Sequence, residues 1–516
     1  MKDKLERRDF LKLSALAAAG SYATLFEKQA VRLAGSASGE NILIVVFDTL
    51  SAKHLSLYGY QRNTTPNIER IAQRGIVYHE HYAGGPYTTP GTASLLTGTY
   101  PWTHRAFRVQ SQVAKEFENK NIFSLFEDYH RIAYTHNPVA NTFLRQFLSS
   151  LDTYIPRQDL FLLEDYVLEK LLINDYDTAS IFKRQLYVQN DGDFYSLFLP
   201  NLLRKTDRFE RQKRYLEKKY AEEFPRGLPG ELNHFILEDG INAMQGTLPS
   251  LDSPYLAYYH FFPPHAPYTT RRDFYDAYNN DGYEPVKKPE HLFSRKISWK
   301  NLVKNRRAYD EFILYVDHEF GRLYDYLESS GHLDNTWVIF TSDHGELFER
   351  GIKGHFTESL HQPVVNVPLI ILPPGQTKRV DVYDNTSCVD LIPTLLNIAN
   401  RDIPEWLEGE LLPPYGPVIP NREIYALQAR HEPMSQPIKA ATAMLVKNEF
   451  KLTKYFGYAK VKREVKGDGL YELYNIHDDP EELNNLYESM PDVAGELTEI
   501  LNNRIEKENA PYLPRK

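Results

Sequence analysis

A chain of 516 residues with a net charge of −9 has no global attraction to nucleic acid or to an anionic membrane. It is long enough for one large α/β domain with a smaller appendage, and its 42% hydrophobic and 25% charged residues are those of an ordinary globular protein. The 36 tyrosines and 27 phenylalanines serve mainly to pack a core, and the tyrosines also suit a cleft for an amphipathic or sugar-like substrate.

The N-terminus carries Glu6-Arg7-Arg8-Asp9-Phe10-Leu11-Lys12, followed by the small apolar run Leu13-Ser14-Ala15-Leu16-Ala17-Ala18-Ala19-Gly20. Paired arginines before a mildly apolar stretch make a twin-arginine export signal. The run is too short and too alanine-rich to span a membrane. Residues 1–35 are therefore expected to be signal and linker, the export machinery a partner, and the product periplasmic or extracellular. Cys388 is the only cysteine, so no intrachain disulfide can form. Export in the folded state suits such a chain, above all a metalloenzyme.

Asn41-Ile42-Leu43-Ile44-Val45-Val46-Phe47 reads as a strand buried on both faces, of the kind found in parallel sheets, and it ends at Asp48. Pro66 opens a helix for which Thr65 is the expected N-cap. Residues 140–250 are charged, aromatic and helix-prone, and read as a helical insertion over the active face. A helix over Tyr309 to Ser329 leads to a second buried strand, Trp337-Val338-Ile339-Phe340-Thr341, which runs into Ser342-Asp343-His344-Gly345-Glu346. A third, Val367-Pro368-Leu369-Ile370-Ile371-Leu372, stops at Pro373-Pro374-Gly375. Strands alternating with helices predict a doubly wound α/β domain over 36–400, with 401–516 as a C-terminal subdomain.

Three clusters carry candidate chemistry: Asp48, the segment Thr88-Thr89-Pro90-Gly91-Thr92-Ala93-Ser94-Leu95-Leu96-Thr97-Gly98, and Asp343-His344. A carboxylate at the C-terminal end of a buried strand stands where open α/β sheets bind ligands. Taken singly, such an Asp more often caps a helix, and an Asp-His pair is more often structural. Their order is what counts.

That order, joined by Phe261-Phe262-Pro263-Pro264-His265-Ala266-Pro267-Tyr268, by Val389-Asp390-Leu391-Ile392-Pro393-Thr394, and by Leu473-Tyr474-Asn475-Ile476-His477-Asp478-Asp479-Pro480, resembles the sulfatase family of the alkaline phosphatase superfamily. The likeness runs from about residue 41 to 490, with the helical insertion unmatched. It implies a doubly wound mixed sheet with helices on both faces and a small C-terminal α+β subdomain. It also implies a metal-dependent hydrolase acting on ester bonds. The departures are specific. The position that sulfatases oxidise to formylglycine is Thr88, whose secondary alcohol could give only a ketone, and the following arginine position is Thr92. The sulfatase Gly-Lys-Trp-His element is replaced by Tyr134-Thr135-His136-Asn137-Pro138, and the paired aspartates after the first strand are reduced to Asp48-Thr49.

What remains is similar to the phosphodiesterases and lipid-headgroup phosphotransferases of the superfamily, which use a threonine nucleophile beside a metal. The resemblance implies one divalent ion (zinc, manganese or calcium) on Asp48, Asp343 and His344 with Thr88 at it, and leaves room for a second ion. It implies catalytic roles for Thr88, for His265 near the substrate's anionic group, and for His355, which would protonate the leaving group or bind a second metal. Glu346 and Asn137 are candidate supporting contacts, His260 reads as a strand residue, and Thr89 is the competitor of Thr88. The expected substrates are phosphate mono- and diesters, phospholipid headgroups or glycan esters. Two other functions stay open: a sulfuric ester hydrolase without formylglycine, and a non-catalytic binder of glycans or lipid headgroups.

The export expectation is testable directly. Replacing Arg7 and Arg8 by lysine should leave the protein in the cytoplasm, as read by cell fractionation, whereas undiminished export would remove the twin-arginine reading.

Overall fold

The computed structural model describes residues 39–513 except 110, 164–206, 231–233, 460, 461, 463, 466 and 468. The twin-arginine segment lies outside the described residues, as does much of the 140–250 stretch. The described parts of that stretch include helices Pro138–Gln146 (α3), Asp207–Lys219 (α4) and Leu237–Thr247 (α5).

Eight strands form the central sheet: Asn41–Phe47 (β1), Ile76–Tyr78 (β2), His130–Thr135 (β3), Thr153–Tyr154 (β4), Tyr255–Phe261 (β5), Thr336–Thr341 (β6), Leu369–Leu372 (β7) and Val380–Val382 (β8). Their spatial order is β8-β2-β7-β6-β1-β5-β3-β4. Only β7 runs against the rest, pairing antiparallel with β6 and β2, so the sheet is mixed. The expected third strand is shorter than its apolar run and begins only at Leu369, after Pro368, which has no N–H to give a ladder.

Alternation along β1 shows why an unbroken apolar run was needed. Ile42, Ile44 and Val46 enter one core, while Leu43, Val45 and Phe47 enter another on the opposite face. On the first face lie helices Thr88–Thr97 (α2), α3 and Leu391–Ile398 (α7), together with a four-stranded antiparallel sheet of Glu423–Gln428, Ala441–Lys447, Phe450–Phe456 and Leu470–Asn475 (β9 to β12). The second face is covered by Pro66–Ala72 (α1), α5 and the 31-residue helix Trp299–Ser329 (α6). The C-terminal helix Pro491–Asn509 (α8) packs on β10 and β11.

One local expectation is corrected. Thr65 stands at the N-cap of α1, but its side chain caps nothing there. Its hydroxyl instead accepts the N–H of Leu57 at 3.1 Å. The free N–H groups of α1 are taken from across the fold by Asp317 of α6, whose carboxylate accepts from Asn67 at 3.0 Å and Ile68 at 2.7 Å. A buried carboxylate meets those donors better than a hydroxyl already in use.

Asp317 thus joins α6 to α1, and Asp317→Ala should cost about 1–3 kcal/mol, since two backbone donors lose a charged acceptor. Thermal unfolding checks this. A variant as stable as the parent would mean that water serves α1 equally well.

Candidate active site

Asp48 follows β1, Asp343 and His344 follow β6, His260 is the penultimate residue of β5, and Asn137 lies two residues beyond β3. These strands are parallel neighbours, so their C-terminal ends bring the five side chains to one edge of the sheet. The turn after Asp48 is tight. Thr49 has φ +63°, a conformation that a β-branched residue adopts only under constraint. The Tyr309 hydroxyl holds it, donating to the carbonyl of Thr49 and accepting from the N–H of Ser51 at 3.0 Å.

Thr88 is the first residue of α2, every residue of which is buried. One glycine lets this helix reach the site and a second lets the loop after His344 turn in. A Cβ on Gly91 would strike the carbonyl oxygen of Asp343, and one on Gly345 that of Pro363. Thr88 Oγ1 lies 3.3 Å from His344 Nε2 and accepts from Asn137 Nδ2 at 3.3 Å. The N-cap is Tyr87, so the Thr88 hydroxyl faces the site instead of capping the helix. Thr89, one position on, projects about 100° further round.

The centre is short of positive charge. The ligand atoms of Asp48, Asp343 and His344 all lie within 4.8 Å of one another, and all three residues are buried. His344 Nδ1 faces the carbonyl of Gly345 at 2.9 Å and donates to it, which leaves the Nε2 lone pair turned inward. That nitrogen is 3.3 Å from Asp48 Oδ1 and 3.7 Å from Asp343 Oδ2. Asp48 Oδ1 has no hydrogen-bond partner. Burial raises the Asp48 carboxyl, but His265 and His344 outweigh it and hold the group well below its ordinary range. Burial and Asp48 together raise Asp343. His344, lowered by burial, is pushed up to about 9 by Asp343 and Asp48. Three facing acceptors in a dry pocket require a proton or a cation, and an Asp-Asp-His donor set fits zinc or manganese and also admits calcium. A divalent ion would be held by these three residues.

Neutral donors support the carboxylates. Thr92 Oγ1 donates to Asp343 Oδ2 at 3.1 Å, and Asn137 Nδ2 donates to Asp48 Oδ2. Beyond Asp48 and Asp343, His260 Nε2 stands 3.9 and 3.8 Å from their Oδ2 atoms and has no hydrogen-bond partner. The sequence reading treated His260 as a strand residue. It is one, but its side chain enters the site. A polar residue at the end of an apolar strand was the available signal. Thr92 was legible only as a missing arginine.

The other expected residues line the same opening. His265 Nδ1 donates to the carbonyl of Ala266 at 2.6 Å, and its ring centre lies 4.8 Å from that of His355. His355 in turn lies 4.6 Å from His344, and its Nδ1 is 3.1 Å from Glu346. Burial, with His344 and His265, holds His355 well below the ordinary imidazole range. Its Nε2 has no partner. Glu346 is pushed up to about 7 by burial, against the pull of His265 and His344. Cys388 is remote from this chemistry, buried in the apolar core with its thiol pushed up to about 12.

Among the described residues a second cluster of metal-ligating type joins His291, His361 and Glu472. Two of its members are tied by a hydrogen-bond chain, while His361 Nε2 stands 3.9 Å from Glu472 without a hydrogen-bond partner. His291 accepts the N–H of Phe293 at Nδ1 (3.1 Å) and donates from Nε2 to Tyr455 (2.9 Å), which donates to Glu472 (2.8 Å).

If Asp48, Asp343 and His344 hold a divalent ion, Asp343→Ala or His344→Ala should weaken metal binding by more than the roughly 10–100-fold that losing an outer supporting group costs. Elemental analysis after dialysis gives the occupancy. Full occupancy in both variants would place the ion elsewhere.

Comparisons with known proteins give the family and the fold. A family model described as Sulfatase matches residues 40–401, and one described as N-sulphoglucosamine sulphohydrolase, C-terminal, matches residues 351–510. An uncharacterised sulfatase of Escherichia coli K12 is 24% identical over 92% of this chain and 88% of its own length. An arylsulfatase of Clostridium perfringens is 23% identical over 72% and 76%. Among solved structures, a phosphonate monoester hydrolase of Agrobacterium radiobacter superposes with a TM-score of 0.64 at 18% identity, covering 92% of this chain and 96% of that one. A protein solved in complex with its substrate D-glucosamine-2-N,6-O-disulfate gives 0.63 at 18%, covering 92% and 99%. The chain is a member of the sulfatase family of metal-dependent ester hydrolases.

Proposed function

We propose that this sulfatase-family hydrolase is an exported enzyme that cleaves or transfers phosphate esters through Thr88. The observation that carries this is the position of the Thr88 hydroxyl. It is the first residue of a buried helix, within 3.3 Å of His344 Nε2 and of the Asn137 amide, where a sulfatase would need an oxidisable residue. The helix N-terminus adds its dipole on the side where negative charge develops.

The step balances as follows. Thr88 gives its hydroxyl proton to water and its Oγ bonds to phosphorus as the ester P–O bond breaks. The leaving oxygen takes the proton of His355 Nε2 while the Glu346 carboxyl, pushed up to about 7, gives its own proton to His355 Nδ1 3.1 Å away, so the imidazole stays neutral throughout. Water then cleaves the phosphothreonine and restores the hydroxyl, while an acceptor alcohol in its place gives transfer. A divalent ion held by Asp48, Asp343 and His344 supplies acidity to a nearby hydroxyl and offsets charge on the phosphoryl oxygens. His265, at the opening, is placed to meet the substrate's anionic group.

Charge sorts the substrates. Two carboxylates cancel a dication, and among the described residues neither lysine nor arginine bonds to Asp48, Asp343 or His344. Dipoles and histidines must then meet the incoming charge. A diester brings one negative charge and a monoester close to two, about −1.5 to −2 at neutral pH. Diesters are therefore favoured. Sulfate esters are also monoanionic, and the family match supports them as the second reading. The intact ligand set speaks against a mere binder.

A panel of bis(4-nitrophenyl) phosphate, 4-nitrophenyl phosphate and 4-nitrophenyl sulfate decides between them. Turnover should be highest with the diester, and a preference for the sulfate ester would establish the second reading. Thr88→Ala should lower kcat by at least about 1,000-fold with metal content unchanged, and Thr88→Ser should retain activity. Near-parental turnover in the alanine variant would remove Thr88 from the mechanism.

A further inference from the structure

Asn137 hydrogen-bonds both the start of α3 and the hydroxyl of Thr88. It is 2% exposed and stands between β3 and the helix that opens at Pro138. Its Oδ1 accepts the N–H groups of Val139 at 2.6 Å and Ala140 at 3.3 Å, so it caps α3. With the oxygen so committed, Nδ2 has to face the opposite way. There it donates one hydrogen to Asp48 Oδ2 and the other, at 3.3 Å, to Thr88 Oγ1. Turning the amide over would set N–H against the helix N–H groups and oxygen against the Asp48 carboxylate. The cap therefore fixes the direction of the donor.

We propose that Asn137 is a catalytic residue that holds Thr88 Oγ for attack and stabilises its negative charge during transfer. This rests on the reading of Thr88 as the nucleophile. By accepting from Asn137 on one side, the hydroxyl oxygen is held beside the ligand cluster, 3.3 Å from His344 Nε2, with its own proton free to leave to water. As that proton departs and the Oγ–P bond forms, no bond to Asn137 is made or broken. Its N–H donates to an oxygen that is neutral in the resting enzyme and anionic at attack, so the interaction is stronger in the reaction than before it. An amide also suits the place better than an ammonium. It neutralises neither carboxylate and so does not compete with a cation for them, and it has no proton to lose.

Asparagine and serine are about equally good N-caps, which gives a clean test. Asn137→Ser and Asn137→Thr, threonine being a somewhat weaker cap, keep an acceptor for α3 and remove the amide donor to Thr88 without setting a new carboxylate against Asp48. With bis(4-nitrophenyl) phosphate, both should fold with near-parental Tm and keep their metal. The kcat should fall by about 100- to 1,000-fold, the loss typical of one oxyanion donor, with KM little changed. Turnover within about threefold of the parent in either well-folded variant, far short of that loss, would overturn the proposal. So would loss of bound metal in both, because Asn137 would then serve Asp48 and not Thr88. Thr88→Ala, run alongside, separates the two ideas. If it is inactive and the Asn137 variants are active, only the role of Asn137 falls. If it is active, the nucleophile reading falls and takes this proposal with it.

Discussion

The structure turns on the crowding of acceptors at one sheet edge. Asp48 Oδ1, Asp343 Oδ2 and the His344 lone pair face one another in a buried space, and the carbonyl of Gly345 fixes the tautomer that makes His344 the third acceptor. Such an arrangement is unstable unless something positive fills it. The opposite displacements of the two carboxyls, Asp48 held down and Asp343 driven up, express this shortage: one charge is affordable with the nearby histidines and the second is not. A cation lets both ionise.

The scaffold sustains the crowding by close backbone approach. Parallel pairing of β1 with β5 and β6 sets Asp48, His260 and Asp343 side by side. The helix bearing Thr88 reaches them only because Gly91 has no side chain to meet the Asp343 carbonyl, and the loop after His344 turns in only because Gly345 clears Pro363. Thr49, left-handed and pinned by the Tyr309 hydroxyl, shows the long helix Trp299–Ser329 sharing in the restraint from the opposite face of the sheet. Both layers of helices thus bear on one site.

How far the sequence carries this depends on whether a residue's role is local. Asp48, Asp343 and His344 were legible because each follows an apolar strand and because their order along the chain resembles the family's; singly, none of them was. Thr88 was legible from the small-residue run that follows it and from the family order. His260 was not, because strand alternation gives the face of a residue but not whether that face lies under helices or opens on the site at the strand's end. Asn137 was legible only as a candidate supporting contact, with neither its cap of α3 nor its partners at the site named. Its second role depends on Asp48, 89 positions away. Thr65 was the right residue type for a cap and lost the task to Asp317, 249 positions from the nearest donor it serves by residue count. Partners across the sheet are set by topology, which local preference does not encode.

The groups that touch the carboxylates complete the logic. Thr92 gives Asp343 a hydroxyl, Asn137 gives Asp48 an amide, and the N–H of His344 bonds Asp343 Oδ1 at 3.1 Å. All are uncharged donors. They orient the carboxylates and satisfy their outward lone pairs without cancelling their charge, which a lysine or arginine in the same places would do by forming an ion pair. Outer partners of this kind keep first ligands aimed and basic. The same choice of neutral donors therefore preserves the demand for a cation and leaves the Thr88 oxygen beside it, so metal affinity and the placing of the nucleophile rest on one set of side chains.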